Sequence, residues 1–156
     1  MPNPGVIDNE PYAPNAVGLT GVLIDLKATM ANQQTYSVIG YQCVTFENVS
    51  QGEALYCRSS DGKVGKAIAN DTVDKATVAG FAQTTKSTGQ TVNVIVRGLL
   101  ATSGLDAGDD YYLSAASAGA ITKTAPSGSD EYLTRIGESG TSAQLIIKIE
   151  PPILIS

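Results

Sequence analysis

The strongest constraint on the fold of this chain is a set of glycines that occurs twice. Three glycines of one segment return 56 or 57 residues later, namely Gly52, Gly62 and Gly80 as Gly108, Gly119 and Gly137. Glycine adopts positive φ without steric cost, so its spacing marks where a chain turns or bulges. Two segments with the same spacing of turns predict two copies of one supersecondary unit.

The residues around these glycines repeat as well. An acidic residue follows the first glycine of each set (Glu53 and Asp109), and a tyrosine lies three residues further on. Each segment closes with an apolar, branched run, TVNVIVRG at 91–98 and AQLIIKIE at 143–150. We therefore divide the chain into four parts: an extended N-terminal arm (1–18), a first β unit (19–98), a second β unit (99–150) and an apolar C-terminal tail (151–156).

Residues 36–150 are predicted to be almost entirely β. Short runs of branched and aromatic residues alternate with clusters of Gly, Asn, Asp, Ser and Pro, which is typical of antiparallel strands joined by tight turns. We expect a bulge at Gly40 and a hairpin turn at Asp61–Gly62. Residues 19–33 fit either a short helix or a strand, and their branched residues favour the strand. The predicted fold is all-β, an antiparallel β-sandwich or barrel built from two similar units.

The composition of the chain argues against nucleic acids and anionic membranes as binding partners. Apolar residues make up 42% of the 156 residues, charged residues only 16%, and the net charge is −5. This chain buries a core, and it has no basic run with which to bind nucleic acid or an anionic membrane. Neither a secretory signal nor a membrane span is expected. The sequence predicts that Cys43 and Cys57 are buried thiols, and it leaves open whether they pair in a disulfide.

Catalytic and metal motifs are few and weak. The chain has no histidine, which removes histidine-based triads and imidazole metal sites. Ser60 and Lys63 match the S-x-x-K pattern of serine acyl enzymes, but that pattern needs a helix and here it surrounds a predicted turn. The carboxylates Asp106, Asp109 and Asp110 are interpreted as a solvated turn rather than a calcium loop. We expect no enzyme activity, no cofactor and no metal.

Residues 104–149 resemble a known β module. The second β unit reads G-L-x-x-G-x-x-Y-Y-L-S at 104–114, P-x-G-x-x-x-Y-L-x-R-I-G at 126–137 and L-I-I-K-I at 145–149. The first β unit, with G-E-A-L-Y, S-D-G-K-V, V-A-G-F-A and V-x-V-x-V-x-G, looks like another copy. This module is frequent in structural proteins of tailed bacteriophages, and the whole chain is most similar to a cyanophage-like capsid decoration (cement) protein.

The resemblance implies a function, a partner and a location. A cement protein of this kind is a homotrimer that sits on the exterior of an icosahedral capsid and clamps neighbouring major capsid proteins. It is made in the host cytoplasm and ends in the virion. The alternatives are a head-fibre, tail-fibre or baseplate β module involved in attachment and, less favoured, a carbohydrate-binding module.

Two segments are predicted to make the contacts with the capsid or between subunits. The arm reaches about 60 Å when extended, and Ile7, Tyr12 and Val17 are its predicted anchors. In the tail, EPPILIS, the prolines are expected to end the last strand, and Ile153, Leu154 and Ile155 follow with almost no polar cover. We expect this apolar end to pack between subunits.

Overall fold

A computed structural model describes residues 38–156 of the chain. The predicted arm and the ambiguous segment 19–33 lie outside the described residues. The described part contains, in chain order, β1 (Ile39–Val44), β2 (Ala54–Cys57), β3 (Val64–Lys66), α1 (Val73–Ala76), β4 (Gly80–Ala82), β5 (Thr91–Ala101), β6 (Asp110–Leu113), β7 (Ile121–Thr122), β8 (Tyr132–Leu133), β9 (Arg135–Thr141), β10 (Gln144–Ile147) and β11 (Ile153–Leu154).

Nine of these strands form one antiparallel sheet, which curls into a half-barrel. Its order is β3-β2-β4-β5-β10-β9-β6-β7, and β1 pairs with β5 beside this path. The remaining strands, β8 and β11, form a separate two-stranded ribbon. The predicted all-β antiparallel fold is confirmed.

The strands of the two β units occupy equivalent positions in the sheet. Counted from one edge of the sheet towards its centre, the order is β3, β2, β4 and β5. Counted from the other edge, the order is β7, β6, β9 and β10. The long strand β5 joins the two halves: its first part pairs with β1 and β4, and its last residues pair with β10.

Backbone conformation repeats more closely than side-chain identity does. The paired glycines have nearly equal φ: +83° and +86° at Gly52 and Gly108, +70° and +78° at Gly62 and Gly119, +155° and +156° at Gly80 and Gly137. Hydrogen bonds match too, because the amide of Gly52 donates to Ala82 at 2.8 Å and that of Gly108 to Ser139 at 2.9 Å. The predicted duplication is therefore present as two chain segments with equivalent turns.

The two β units differ in which of their faces are covered. Phe81 pairs with Ile95 across β4 and β5, and both are buried. The equivalent pair in the second unit is Glu138 with Ile146, and both are only partly buried. The first unit is packed on both faces and the second on one, which explains why one repeat carries phenylalanine where the other carries glutamate.

The main core takes side chains from both β units. Its buried members are Ala54, Tyr56, Ala67, Ala69, Val78, Phe81, Ile95, Leu100, Leu105, Tyr111, Leu113, Ile136, Leu145 and Ile147. A smaller cluster fills the opposite face of the first unit and consists of Val49, Leu55, Val64, Ala82, Val92 and Val94. Burial of this apolar surface is the main force that holds the sheet curled.

Several local predictions are confirmed. The register between β1 and β5 shifts at Ile39–Gly40, which is the predicted bulge. The hairpin β2–β3 turns at Asp61–Gly62, with Gly62 at positive φ. The structure also shows strand alternation in β6, where Tyr111 is buried and Tyr112 is half-buried.

Other predictions are wrong. Cys57 is exposed and Cys43 only partly buried, because Cys57 is the last residue of β2 and lies beyond the packed part of its strand. One helical turn, α1, forms where no helix was expected, with its N-terminus capped by the Thr72 hydroxyl. Pro151 and Pro152 do not follow the last strand of the chain either, because β11 comes after them. Within residues 38–156 no helix is long and apolar enough to cross a membrane.

Candidate interaction surface

The C-terminal residues form a fixed ribbon with β8. Ile153 pairs with Leu133 and Leu154 with Tyr132. Beyond these pairs, the amide of Ile155 donates to the carbonyl of Glu131 at 2.8 Å, and the amide of Asp130 donates to the carbonyl of Ile155 at 3.0 Å. The backbone of the tail is therefore held in place by hydrogen bonds. We call residues 130–133 and 153–155 the C-terminal ribbon.

Two large apolar side chains of this ribbon are exposed although its backbone is ordered by hydrogen bonds. Ile153 is 63% exposed and Leu154 is 54% exposed. Neighbouring residues of a strand point to opposite faces, so each face of the ribbon presents an apolar side chain. An apolar surface that is held in one conformation loses little entropy on binding, which suits it to contact another protein.

A second exposed apolar surface lies on β1 and the adjoining part of β5. We call it the β1 patch, and its members are Val38, Ile39, Tyr41, Val44 and Val96. Among the described strands β1 has one neighbour, β5. Single exposed apolar residues are ordinary on a protein surface, and these five are grouped because they lie on or directly beside two paired strands.

Ion pairs cover the free face of the second β unit. Arg135 contacts Asp110 at 2.5 Å, Glu150 at 3.2 Å and Glu138 at 3.6 Å, and Lys148 contacts Glu138 at 3.1 Å. The hydrogen bond from Arg135 lowers the pKa of the Asp110 carboxyl below its ordinary value. Such exposed pairs contribute little to stability. They make this face charged, whereas the C-terminal ribbon exposes apolar side chains.

The three aspartates that suggested a calcium loop are divided between two cations. Lys123 pairs with Asp106 and lies 3.9 Å from Asp109, while Asp110 pairs with Arg135. No group of three or more metal-ligating side chains converges anywhere in the described part. The turn interpretation of residues 106–110 fits this geometry, because the amide of Asp109 donates to the carbonyl of Asp106 at 3.3 Å.

The S-x-x-K residues lie in the β2–β3 turn, as predicted, and not on a helix. Lys63 is 3.8 Å from Asp61, which also binds Arg58 at 2.5 Å. The hydrogen bond from Arg58 lowers the pKa of Asp61 to about 2. Lys63 is thus engaged by a carboxylate of the turn, which gives this pattern a structural explanation.

The structure brings together only part of the predicted contact set. Ile7, Tyr12 and Val17 lie outside the described residues, and their roles stay predictions. Ile153, Leu154 and Ile155 lie together on the C-terminal ribbon, with Ile155 partly buried.

The sequence-based prediction missed the β1 patch. The signal was available in VIGYQCV, where apolar residues occupy both faces of one strand instead of alternating with polar ones.

Comparison with models of known protein families gives no match for this chain. Comparison with curated proteins gives no match either.

Proposed function

We propose that this protein is a structural virion protein that decorates the outside of an icosahedral phage capsid. As a homotrimer it clamps neighbouring major capsid proteins and so stabilises the shell. The proposal combines the resemblance of about residues 36–150 to phage β modules with an all-β scaffold that presents apolar side chains at fixed positions.

The observation that carries the proposal is the C-terminal ribbon. Ile153 and Leu154 are more than half exposed, yet backbone hydrogen bonds on either side of them fix their strand. Fully burying an exposed side chain of this size contributes about 1.5–3 kcal/mol, and Ile153 and Leu154 leave more than half of that surface exposed. Contacts with a partner on each face of the ribbon would recover this free energy, and in the proposed trimer neighbouring subunits supply them.

The physics of a decorated shell agrees with a small binding protein of this kind. A ligand that binds only the assembled lattice stabilises that lattice by mass action. Three linked copies bind more tightly than one, because the first contact raises the effective concentration of the other two. None of these steps requires a catalytic group, a metal or a cofactor.

The location is tested by immunogold labelling of phage particles with an antibody against this chain. Gold over the heads supports capsid decoration. Gold confined to the tails would instead support a tail-fibre or baseplate module, and gold on fibres that project from the head would support a head-fibre module. Particles without any gold would overturn both virion proposals.

The role of the ribbon is tested separately by the double substitution Ile153→Ser with Leu154→Ser. Light scattering of the purified wild type should give three times the 16.1 kDa chain mass, and the double variant should give the mass of one chain. Val73→Ser is the matched control, since Val73 is 53% exposed but lies on α1. A double variant that remains trimeric would exclude the ribbon as the subunit interface.

A further inference from the structure

The two cysteines of the chain approach the same part of the small apolar cluster. Cys43 lies in β1 and packs against that cluster, and its thiol donates to the carbonyl of Gly62 at 3.1 Å. Gly62 belongs to the turn between β2 and β3, and Cys57 is the last residue of β2 before that turn. The thiol of Cys43 is therefore directed at the hairpin that carries Cys57.

Strand register places Cys57 on the same side. Cys57 pairs with Val64, a buried member of the cluster, and Val64 also bridges to Thr45, two residues after Cys43. Because side chains alternate along a strand, Cys57 shares its face of β2 with Leu55, which is another member of the cluster. Both cysteines thus border one apolar cluster from neighbouring segments.

The electrostatics agree with this placement. The pKa of the Cys57 thiol is raised above its ordinary value, first by burial and then by the charge of Cys43. The pKa of Tyr41 is raised by burial and by the charges of both cysteines. Both shifts agree with a position of Cys57 and Tyr41 close to Cys43.

We propose that Cys43 and Cys57 form a redox-active dithiol, which a small-molecule disulfide converts to an intramolecular disulfide linking β1 to β2. In the first step a cysteine thiolate attacks one sulfur of the small disulfide, forms a mixed disulfide and releases one thiolate. In the second step the other cysteine attacks the protein sulfur of that mixed disulfide and releases the second thiolate. The two cysteines lose two electrons and two protons, and the small disulfide is reduced to two thiols.

The exposed thiol is the site of first attack. Cys57 is exposed and Cys43 is partly buried, so an oxidant reaches Cys57 first. Thiolate is the reacting species, and Asp61 and Asp74 also raise the pKa of Cys57. The reaction is therefore expected to accelerate as the pH rises from 7 to 9.

The crosslink has a structural consequence. In the described part β1 joins the sheet only through β5, and a disulfide would tie it to the β2–β3 hairpin as well. Closing a loop of this size is expected to raise the melting temperature by roughly 5–10 °C. The disulfide would lie within a single chain, so its formation does not depend on the proposed function.

The test is to incubate the full chain with oxidised glutathione at pH 8.5 and to count thiols after denaturation. We expect both thiols to disappear and the chain to lose the mass of two hydrogens without gaining glutathione. Cleavage after Glu47 and Glu53 should leave the peptides containing Cys43 and Cys57 joined until reductant is added. The melting temperature should rise and should fall again on reduction.

The variants Cys43→Ser and Cys57→Ser are the controls. Each should retain one thiol that takes up one glutathione, and neither should show the rise in melting temperature. Wild-type chains that keep two free thiols, carry two glutathiones or crosslink only between molecules would overturn the proposal.

Discussion

At the scale of single residues, the repeated glycines of β4 and β9 are where the backbone leaves no room for a side chain. A Cβ placed on Gly80 would lie 2.6 Å from the carbonyl oxygen of Ile95, and one on Gly137 would lie still closer to that of Ile146. We expect Gly137→Ala to lower the free energy of unfolding by about 2–4 kcal/mol, because a backbone clash adds to an unfavourable φ. Chemical denaturation measures this change.

The control for this prediction lies in the same strand. A Cβ on Gly140 would first meet the side chain of Ile146, at 3.5 Å, which is an ordinary contact distance. Gly140→Ala should change stability by less than about 0.5 kcal/mol. Equal effects of Gly137→Ala and Gly140→Ala would contradict the steric argument.

The turn residue Asp61 allows a prediction about pH. Its pKa is lowered to about 2, above all by the hydrogen bond from Arg58. A carboxyl with a lowered folded-state pKa adds stability above its unfolded pKa, near 3.8, and that stability is lost as the pH falls to about 2. Arg58→Gln should raise the pKa of Asp61 towards 3.8, as measured by carboxyl NMR titration.

Lys63→Gln serves as the comparison for Arg58→Gln. Lys63 lies 3.8 Å from Asp61 and contributes less to its pKa than Arg58 does. We expect a clearly smaller rise in the pKa of Asp61 in this variant. If both variants shifted the pKa equally, the shift would not come from the bond to Arg58.

At the scale of elements, the features that could be predicted from the sequence are those set by residues close together in the chain. Hairpins such as β2–β3 depend on local turn residues and strand alternation, so their positions followed from Asp61–Gly62 and its flanks. The pairing of β11 with β8 joins residues about twenty positions apart across Pro151 and Pro152, and no local pattern marks it. The exposure of Ile153 and Leu154 likewise depends on which of the residues 38–156 pack nearby, which only the assembled structure reveals.

One buried hydrogen bond joins α1 to the start of β9. The hydroxyl of Thr134 is buried and donates to the carbonyl of Ala76 at 2.9 Å. Thr134→Val keeps the shape of the side chain but leaves that carbonyl without its partner, so we expect a loss of about 1–3 kcal/mol in denaturant unfolding.

The same substitution at Thr77 is the matched control. Thr77 also donates its hydroxyl to a carbonyl, that of Val73 at 2.7 Å, but this bond is exposed to solvent. Water replaces an exposed partner at little cost, so Thr77→Val should be close to neutral. A loss at Thr77 as large as that at Thr134 would show that burial is not the cause.

At the scale of the whole molecule, the two β units are joined by more than chain connectivity. The turn of the second unit's hairpin bonds to the first unit, because Gly119 accepts from Ala54 at 2.8 Å and donates to Ala67 at 2.7 Å. The strand β5 passes through the predicted boundary between residues 98 and 99. The repeat in the sequence indicated two similar units, but only the contacts between them show that they share one core.

A shared core predicts that residues 38–156 unfold in one step. Leu113 is fully buried in the main core, together with residues of the first unit such as Phe81. Leu113→Ala should therefore lower stability by about 2–5 kcal/mol and shift the unfolding of both units equally, although the substitution lies in the second. Methyl NMR signals of Val92 and Leu145 follow the two units separately during a denaturant titration. A common core makes a loss of stability in one unit lower the stability of the other. If the substitution moved only the unfolding midpoint reported by Leu145, the two β units would be independent domains.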